Sequence, residues 1–259
     1  MTLVRTTADG PVAELMLARP EARNALSADM CRELVSALDD VDASDARAVL
    51  IRGEGKIFCS GADFAAVSGP GGLDFLPAFE EMLEAVAAFR LPTVACIQGG
   101  AFGGGFQLAT VCDFRIAAAG AKLGIPAARI GIVVNFENVQ RLVRLAGVAR
   151  AKEILMAGRT FSGAEAEAAG LVTCSVPEGN LDDAARELAE ELAGLSPLSV
   201  QGAKGAIGLV ERALSDARST HPSETAGIDA LVERAYLSDD LQEGLAAMAE
   251  HRPPRFETR

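Results

Sequence analysis

Two short segments carry the chemistry this chain can offer. The first is Phe58-Cys59-Ser60-Gly61-Ala62-Asp63, and the second is Gly99-Gly100-Ala101-Phe102-Gly103-Gly104-Gly105-Phe106-Gln107. Each sets small residues where a backbone N–H must come close to something. Two backbone N–H groups aimed at one oxygen make an oxyanion hole, which stabilises negative charge developing on a carbonyl. Gly104 falls where a helix is expected to begin, so its free N–H points outward with the helix dipole behind it. Gly103–Gly105 lack side chains, which lets a ligand approach the backbone. One such donor is typically worth about 3 kcal/mol of transition-state stabilisation. The competing reading is a tight turn whose glycines serve packing.

Other chemistries find less support. Cys59 and Ser60 lie beside the first segment, but a nucleophile there needs an activating base, and no histidine is near in sequence. Gly53-Glu54-Gly55-Lys56-Ile57-Phe58 begins like a dinucleotide loop, yet Phe58 occupies the third glycine position. No triphosphate-binding G-x-x-x-x-G-K-[ST] run occurs either. The chain has only two histidines, His221 and His251. Neither a histidine metal site nor a Ser-His-Asp triad is expected from them. His221 precedes Pro222 and reads as a helix entry. The five cysteines, Cys31, Cys59, Cys96, Cys112 and Cys174, are odd in number and contain no C-x-x-C pair. They suit small core positions rather than a disulfide framework or a zinc site.

Bulk properties narrow the partners. At 259 residues the chain is one large domain or a domain with an appendage, and 49% hydrophobic content is ample for a core. A formal net charge of -12 argues against nucleic acid and against adsorption to anionic lipid. No apolar run approaches the roughly 18–20 residues of a membrane span. The start, Met1-Thr2-Leu3-Val4-Arg5, lacks the apolar core of a signal peptide. A cytoplasmic protein is expected.

The elements that must position the two segments alternate. Leu3–Thr7 and Val12–Leu17 read as strands joined at Asp9-Gly10. Ser27 caps a helix carrying Met30, Leu34 and Leu38. Arg47–Arg52 is a short buried strand, Phe75–Phe89 a helix, and Thr93–Gln98 the next strand. The glycine loop then leads into a helix from about Gly104 to Val111. Asp113–Ala118 and Leu171–Val176 are further strands. This alternation predicts an α/β fold with parallel pairing. After Val176 the pattern is helical only: Leu181, Ala185, Leu188, Leu192 and Leu195 share a period, and Pro197–Leu214 and Leu231–Glu250 continue it. The expected division is a core over 1–178 and a helical region over 179–259. Gly69-Pro70-Gly71-Gly72 is the breaker-rich loop of the first half, a surface loop or a mobile lid.

In this order, the motifs resemble the crotonase superfamily of enoyl-CoA hydratases and isomerases. They are Arg19-Pro20-Glu21-Ala22-Arg23-Asn24-Ala25-Leu26-Ser27, Phe58–Asp63, Gly99–Leu108 and Cys112-Asp113. The similarity continues through Leu123-Gly124-Ile125-Pro126, Gln140-Arg141-Leu142, Ala168–Val172 and Arg252-Pro253-Pro254-Arg255-Phe256. The resemblance implies a spiral of ββα units with a C-terminal helical region that builds trimers, often stacked as hexamers. It implies an acyl-CoA thioester as ligand, with coenzyme A part of the substrate and no separate cofactor or metal. Carried over by position, the oxyanion N–H groups fall on Ala62 and Gly104. The CoA-binding loop falls on Glu21–Leu26, with Arg23 available for phosphate and Ala25 in the same loop. Asp63 is structural or near the adenine. Arg252 and Arg255 are candidates to reach the nucleotide of a neighbouring subunit, or else belong to a solvated tail.

The departures from the family pattern bear on the reaction. Family hydratases use two glutamates, and the corresponding positions here are Gln107 and Ala127. Another branch uses an aspartate, at the position of Asn135. Neither an amide nor a methyl can activate water or protonate a carbon. Glu137 is the nearest unassigned carboxylate, either a catalytic acid or a first-turn residue favoured by a helix dipole. Three readings follow: an acyl-CoA enzyme with an oxyanion hole and at most one acid, an ordinary hydratase whose acids are misaligned, or a non-catalytic acyl-CoA binder.

Overall fold

The computed structural model describes residues 2–64, 72–217 and 222–256. Residues 69–71 of the glycine-proline loop and His221 lie outside them. Contacts divide the chain into two units, Met1–Leu123 with Phe161–Val210, and Gly124–Thr160 with Glu211–Arg259.

In the first unit, the apolar runs pair into a six-stranded sheet. Its strands are β1 (Val4–Thr7), β2 (Val12–Leu17), β3 (Ala48–Gly53), β4 (Thr93–Ile97), β6 (Phe114–Ala118) and β9 (Cys174–Val176), in the order β1-β2-β3-β4-β6-β9. β1 runs antiparallel to β2, and every other pair is parallel. All five residues of β4 are buried. A parallel strand covered on both faces reads as an unbroken apolar run, which is why β3 and β4 stood out in the sequence. β9 is shorter than expected: Leu171 and Val172 are buried ahead of it without joining the ladder.

Helices cover the sheet through one apolar stripe each. Ser27 caps α1 (Ala28–Asp42), its hydroxyl accepting from the Met30 N–H at 3.2 Å. Met30, Cys31, Leu34, Ala37, Leu38 and Val41 form the buried face. Each large apolar side chain so buried stabilises the fold by about 1.5–3 kcal/mol. α1 packs on α2 (Gly72–Ala88), and α2 contacts α3 (Gly104–Val111). α6 (Leu181–Gly194) buries Leu181, Ala185, Ala189 and Ala193 and contacts β3, β4 and β6. Leu181 is therefore buried within its own chain.

Three short strands escaped the periodicity: β5 (Gly100–Phe102), β7 (Lys122–Gly124) and β8 (Phe161–Ser162), which form a second sheet in the order β5-β7-β8. Two or three residues are too few to show a period of two. α5 (Gly163–Ala168) follows, with a capping box between Ser162 and Glu165 that is legible as Ser-x-x-Glu. α7 (Pro197–Ala217) runs slightly past the expected end at Leu214.

The second unit is mostly helical. α4 (Phe136–Leu155) is interrupted at Gly147, whose φ of 73° is not helical. The single helix expected over Leu231–Glu250 is two, α8 (Pro222–Tyr236) and α9 (Asp239–Ala249). Ser238 divides them: its hydroxyl accepts from the Leu241 N–H at 3.2 Å and so starts α9 as an N-cap. Among the described residues, no helix is long and apolar enough to cross a membrane.

Candidate active site

The loop Arg19–Leu26 is shaped before it meets anything else. Pro20–Ala22 make one 3-10 turn, and Arg23 and Asn24 both take left-handed backbone angles, φ 53°. Asn tolerates that region better than most residues. The Asn24 side chain is fully buried and uses both ends of its amide. Oδ1 accepts from the Arg19 N–H at 3.0 Å, and Nδ2 donates to the carbonyls of Glu54, Ile57 and Phe58 at 3.0, 2.8 and 3.2 Å. One side chain thus joins the loop to the stretch that runs into Cys59–Asp63. The sequence displayed Asn24 inside a motif without revealing this task.

The loop and the first segment then zip together. Ser60 N–H donates to the Arg23 carbonyl at 3.0 Å, Leu26 N–H to the Gly61 carbonyl at 2.8 Å, and Asp63 N–H to the Leu26 carbonyl at 2.8 Å. Because Gly61 and Asp63 face Leu26, the Ala62 N–H between them points to the opposite side. The two segments join in turn. Cys59 N–H donates to the Gly100 carbonyl at 3.3 Å, and Phe102 N–H to the Cys59 carbonyl at 3.0 Å.

Gly61 has φ +102°, and a Cβ on it would sit 2.8 Å from the Phe102 oxygen and 3.4 Å from the Gly104 nitrogen. Gly103, the N-cap of α3, has φ 51° and ψ -122°, a conformation open to glycine alone. The missing side chains at Gly104 and Gly105 have a different use from the one expected. A Cβ at Gly104 would press on the Phe79 ring at 3.1 Å, and one at Gly105 would meet Cys59 at 2.5 Å. Gly104 lets α3 lie against Phe79 of α2, and Gly105 lets it lie against Cys59 of the first segment.

The result is two backbone N–H groups on neighbouring segments. Among the described residues, neither the Ala62 N–H nor the Gly104 N–H finds an acceptor. Gln107 lies one turn along α3 from Gly104, on the same helix face. Its amide oxygen is buried, with no hydrogen-bond partner among the described residues. Cys59 is not poised as a nucleophile. Its thiol donates to the Asn24 carbonyl at 3.1 Å, and burial pushes its pKa up to about 12.

The structure brings Arg23, Ala25, Ala62, Asp63, Gly104 and Gln107 into the first unit. Arg23 is exposed, and its guanidinium has no ion-pair partner among the described residues. Ala25 is buried, with its carbonyl 3.5 Å from Arg19 Nη1. Asp63 accepts from the same guanidinium group at 2.6 Å, which fixes the end of the loop.

The remaining candidates belong to the second unit. Ala127 is buried in a 3-10 turn, Ala127–Arg129. Asn135 is the N-cap of α4 and accepts from the Asn138 N–H at 3.0 Å. Glu137 is exposed in the first turn of α4 and pairs with Arg141 at 2.8 Å. Arg252 pairs with Glu243 at 2.6 Å and with Glu250. Arg252 and the Arg255 N–H together hold the Glu243 carboxyl far below its usual value, at about 2.

The fold, the paired segments and the order of motifs define a class. The profile of the family described as enoyl-CoA hydratase/isomerase matches residues 7–259. The chain belongs to that family, within the crotonase superfamily, and has its fold. Its relatives include a probable enoyl-CoA hydratase of Mycobacterium tuberculosis, 36% identical over 96% of this chain and 95% of that one. Another is the peroxisomal Delta(3,5)-Delta(2,4)-dienoyl-CoA isomerase of Arabidopsis thaliana, 32% identical over 99% and 96%. Among solved structures, methylmalonyl-CoA decarboxylase complexed with 2S-carboxypropyl-CoA superimposes with a TM-score of 0.88. It is 25% identical, over 100% of this chain and 99% of that one.

The zip between loop and segment can be broken at one residue. Asn24→Ala leaves the Glu54 and Phe58 carbonyls and the Arg19 N–H without their partner, takes one of two donors from the Ile57 carbonyl, and puts alanine in a left-handed conformation. We expect a loss of about 3–5 kcal/mol of stability. A denaturant midpoint that moves by less than the equivalent of about 1 kcal/mol would show that the amide bonds are dispensable.

Proposed function

We propose that this protein binds an acyl-CoA thioester and stabilises negative charge on its carbonyl oxygen between the Ala62 and Gly104 N–H groups. The observation that carries the reading is the pair of N–H groups on adjoining segments that find no acceptor among the described residues. The dipole of α3 adds partial positive charge at Gly104. Such donors act on charge that develops during reaction, either as an enolate when a bond at the α-carbon breaks or as a tetrahedral oxyanion. Arg23 is the cation available to the CoA phosphates, with Ala25 and Asp63 shaping the loop behind it. Arg252 would have to leave Glu243 to do the same for a neighbouring subunit. Coenzyme A enters as part of the substrate, and no separate cofactor is invoked.

The Gln107 amide can donate or accept a hydrogen bond, but it moves no proton at neutral pH. Asn135 is engaged as a cap, and Glu137 is paired at the surface. The reaction is therefore one that asks for at most one acid: isomerisation, decarboxylation or hydrolysis. Decarboxylation asks least, since loss of CO2 leaves its electron pair on the α-carbon and from there on the thioester oxygen. That a methylmalonyl-CoA decarboxylase shares the fold supports including it. Calorimetry with a panel of CoA esters tests the reading. Binding of at least one ester, weakened in Gly104→Pro, is expected; no heat with any of them refutes it.

Assembly as a trimer or hexamer, in the cytoplasm, completes the proposal. α7 leaves Leu198, Ile207, Leu209, Val210 and Leu214 more than half exposed in the isolated chain. Apolar side chains in such number on one helix favour burial against another chain. Light scattering at micromolar concentration should give three or six times the chain mass, and a monomer would contradict it.

A further inference from the structure

α3 carries one proposed oxyanion donor at its first residue, and its other end is unusual. Arg115, at the second position of β6, is 8% exposed. Its Nη1 donates to the Cys112 carbonyl at 2.6 Å and the Ala109 carbonyl at 3.3 Å, and its Nε to the Leu171 carbonyl at 3.0 Å. Ala109 and Cys112 are the last turn and the C-cap of α3. A guanidinium buried on backbone carbonyls alone is a rare arrangement, because a buried charge is costly unless compensated. Burial lowers the Arg115 pKa from the ordinary arginine value, yet arginine stays charged.

The neighbouring carboxylate does not cancel that charge. Asp113 accepts from Lys204 Nζ at 2.7 Å, and from the N–H and hydroxyl of Thr93 at 2.7 and 2.9 Å. The Asp113–Lys204 pair sums to zero. Among the described residues, Arg115 has no ion-pair partner of its own. One net positive charge therefore sits at the carbonyl end of the helix.

We propose that Arg115 is a positioning residue for the Gly104 donor: its buried cation cancels the negative end of α3 and raises the positive potential at the Gly104 N–H. The inference rests on the acyl-CoA reading above. Its size follows from the length of the helix. Helix ends carry about half a charge each, and eight residues span about 12 Å. A ligand oxygen about 3 Å from the N-terminus is then about 15 Å from the other end, whose bare negative charge opposes the near end by about a fifth. With Arg115 present that end becomes net positive by about half a charge and adds about a fifth instead. Neutralising Arg115 should lower the potential at the oxygen by about a third.

The test uses cinnamoyl-CoA, a thioester whose ultraviolet band moves to longer wavelength when its carbonyl is polarised. The intact protein should bind it and shift the band. Binding without a shift would refute the polarised carbonyl and with it the proposal, whereas the acyl-CoA reading itself falls only if no ester of the panel binds. Given that shift, Arg115→Gln keeps an amide donor for the same carbonyls but no charge. At saturation its shift should fall by about a third, in line with the potential. Arg115→Lys keeps the charge and should retain most of the shift. A full shift in Arg115→Gln, or an equal loss in both variants, overturns the proposal. Should Arg115→Gln not fold, Arg115→Lys decides alone, because loss of the shift in that folded protein also overturns it.

Discussion

Gly104→Pro should lower turnover of whichever CoA ester proves to be the substrate by about 10²–10³-fold, because it deletes one of the two proposed oxyanion donors. Proline is well placed for this purpose. Gly104 is the first residue of α3, where proline is tolerated, since the N–H it lacks makes no helical bond. Gly103 before it has φ 51° and ψ -122°, the mirror image of an extended conformation, which does not crowd a following proline ring. The cost is contact with Phe79, whose ring edge must yield slightly. The helix should therefore survive and the donor alone be lost. Steady-state kinetics with circular dichroism on the same samples would check it. Turnover within threefold of the parent protein, with α3 intact, would remove Gly104 from the oxyanion hole.

The second large effect concerns hydration. On the proposed carry-over of the family motifs, which sets Gln107 and Ala127 at the positions where family hydratases carry glutamate, the unmodified protein should hydrate crotonyl-CoA very weakly. Each acid–base group typically supplies about 10²–10⁴-fold. On the same carry-over, Gln107→Glu with Ala127→Glu should raise hydration more than either change alone, since the two glutamates of family hydratases act as a unit. Stability must be measured beside rate. The Gln107 amide oxygen is already buried with no partner among the described residues, and Ala127 is only 8% exposed. A carboxyl at either place loses solvation, which raises its pKa and costs folding energy. Hydration by the parent protein at a rate usual for enzymes would mean that the acid positions are misassigned. Glu137 would then be the first residue to mutate, despite its surface pairing with Arg141.

Much of this protein was legible in its residues. β2 and α3 have the limits their patterns suggest, because alternation and a glycine-to-apolar transition are local signals. Ser27 marked the start of α1 by the chemistry of its hydroxyl alone. The family was legible too, since its motifs keep their order along the chain.

What the tertiary structure decided is what each residue faces. Gly104 and Gly105 looked like an opening for ligand, and the fold fills their space with Phe79 and Cys59. Asn135 looked like a replaced acid and serves as a helix cap. Glu137 could have been catalytic by position, and Arg141 pairs with it at the surface. Asn24 and Arg115 were ordinary letters until their carbonyl partners, more than 30 and 50 residues away at the farthest, came within reach. A sequence records which groups a residue carries and which local backbone it prefers. Burial, and the partner that makes burial affordable, depend on chain segments remote in sequence, so only the folded molecule assigns them.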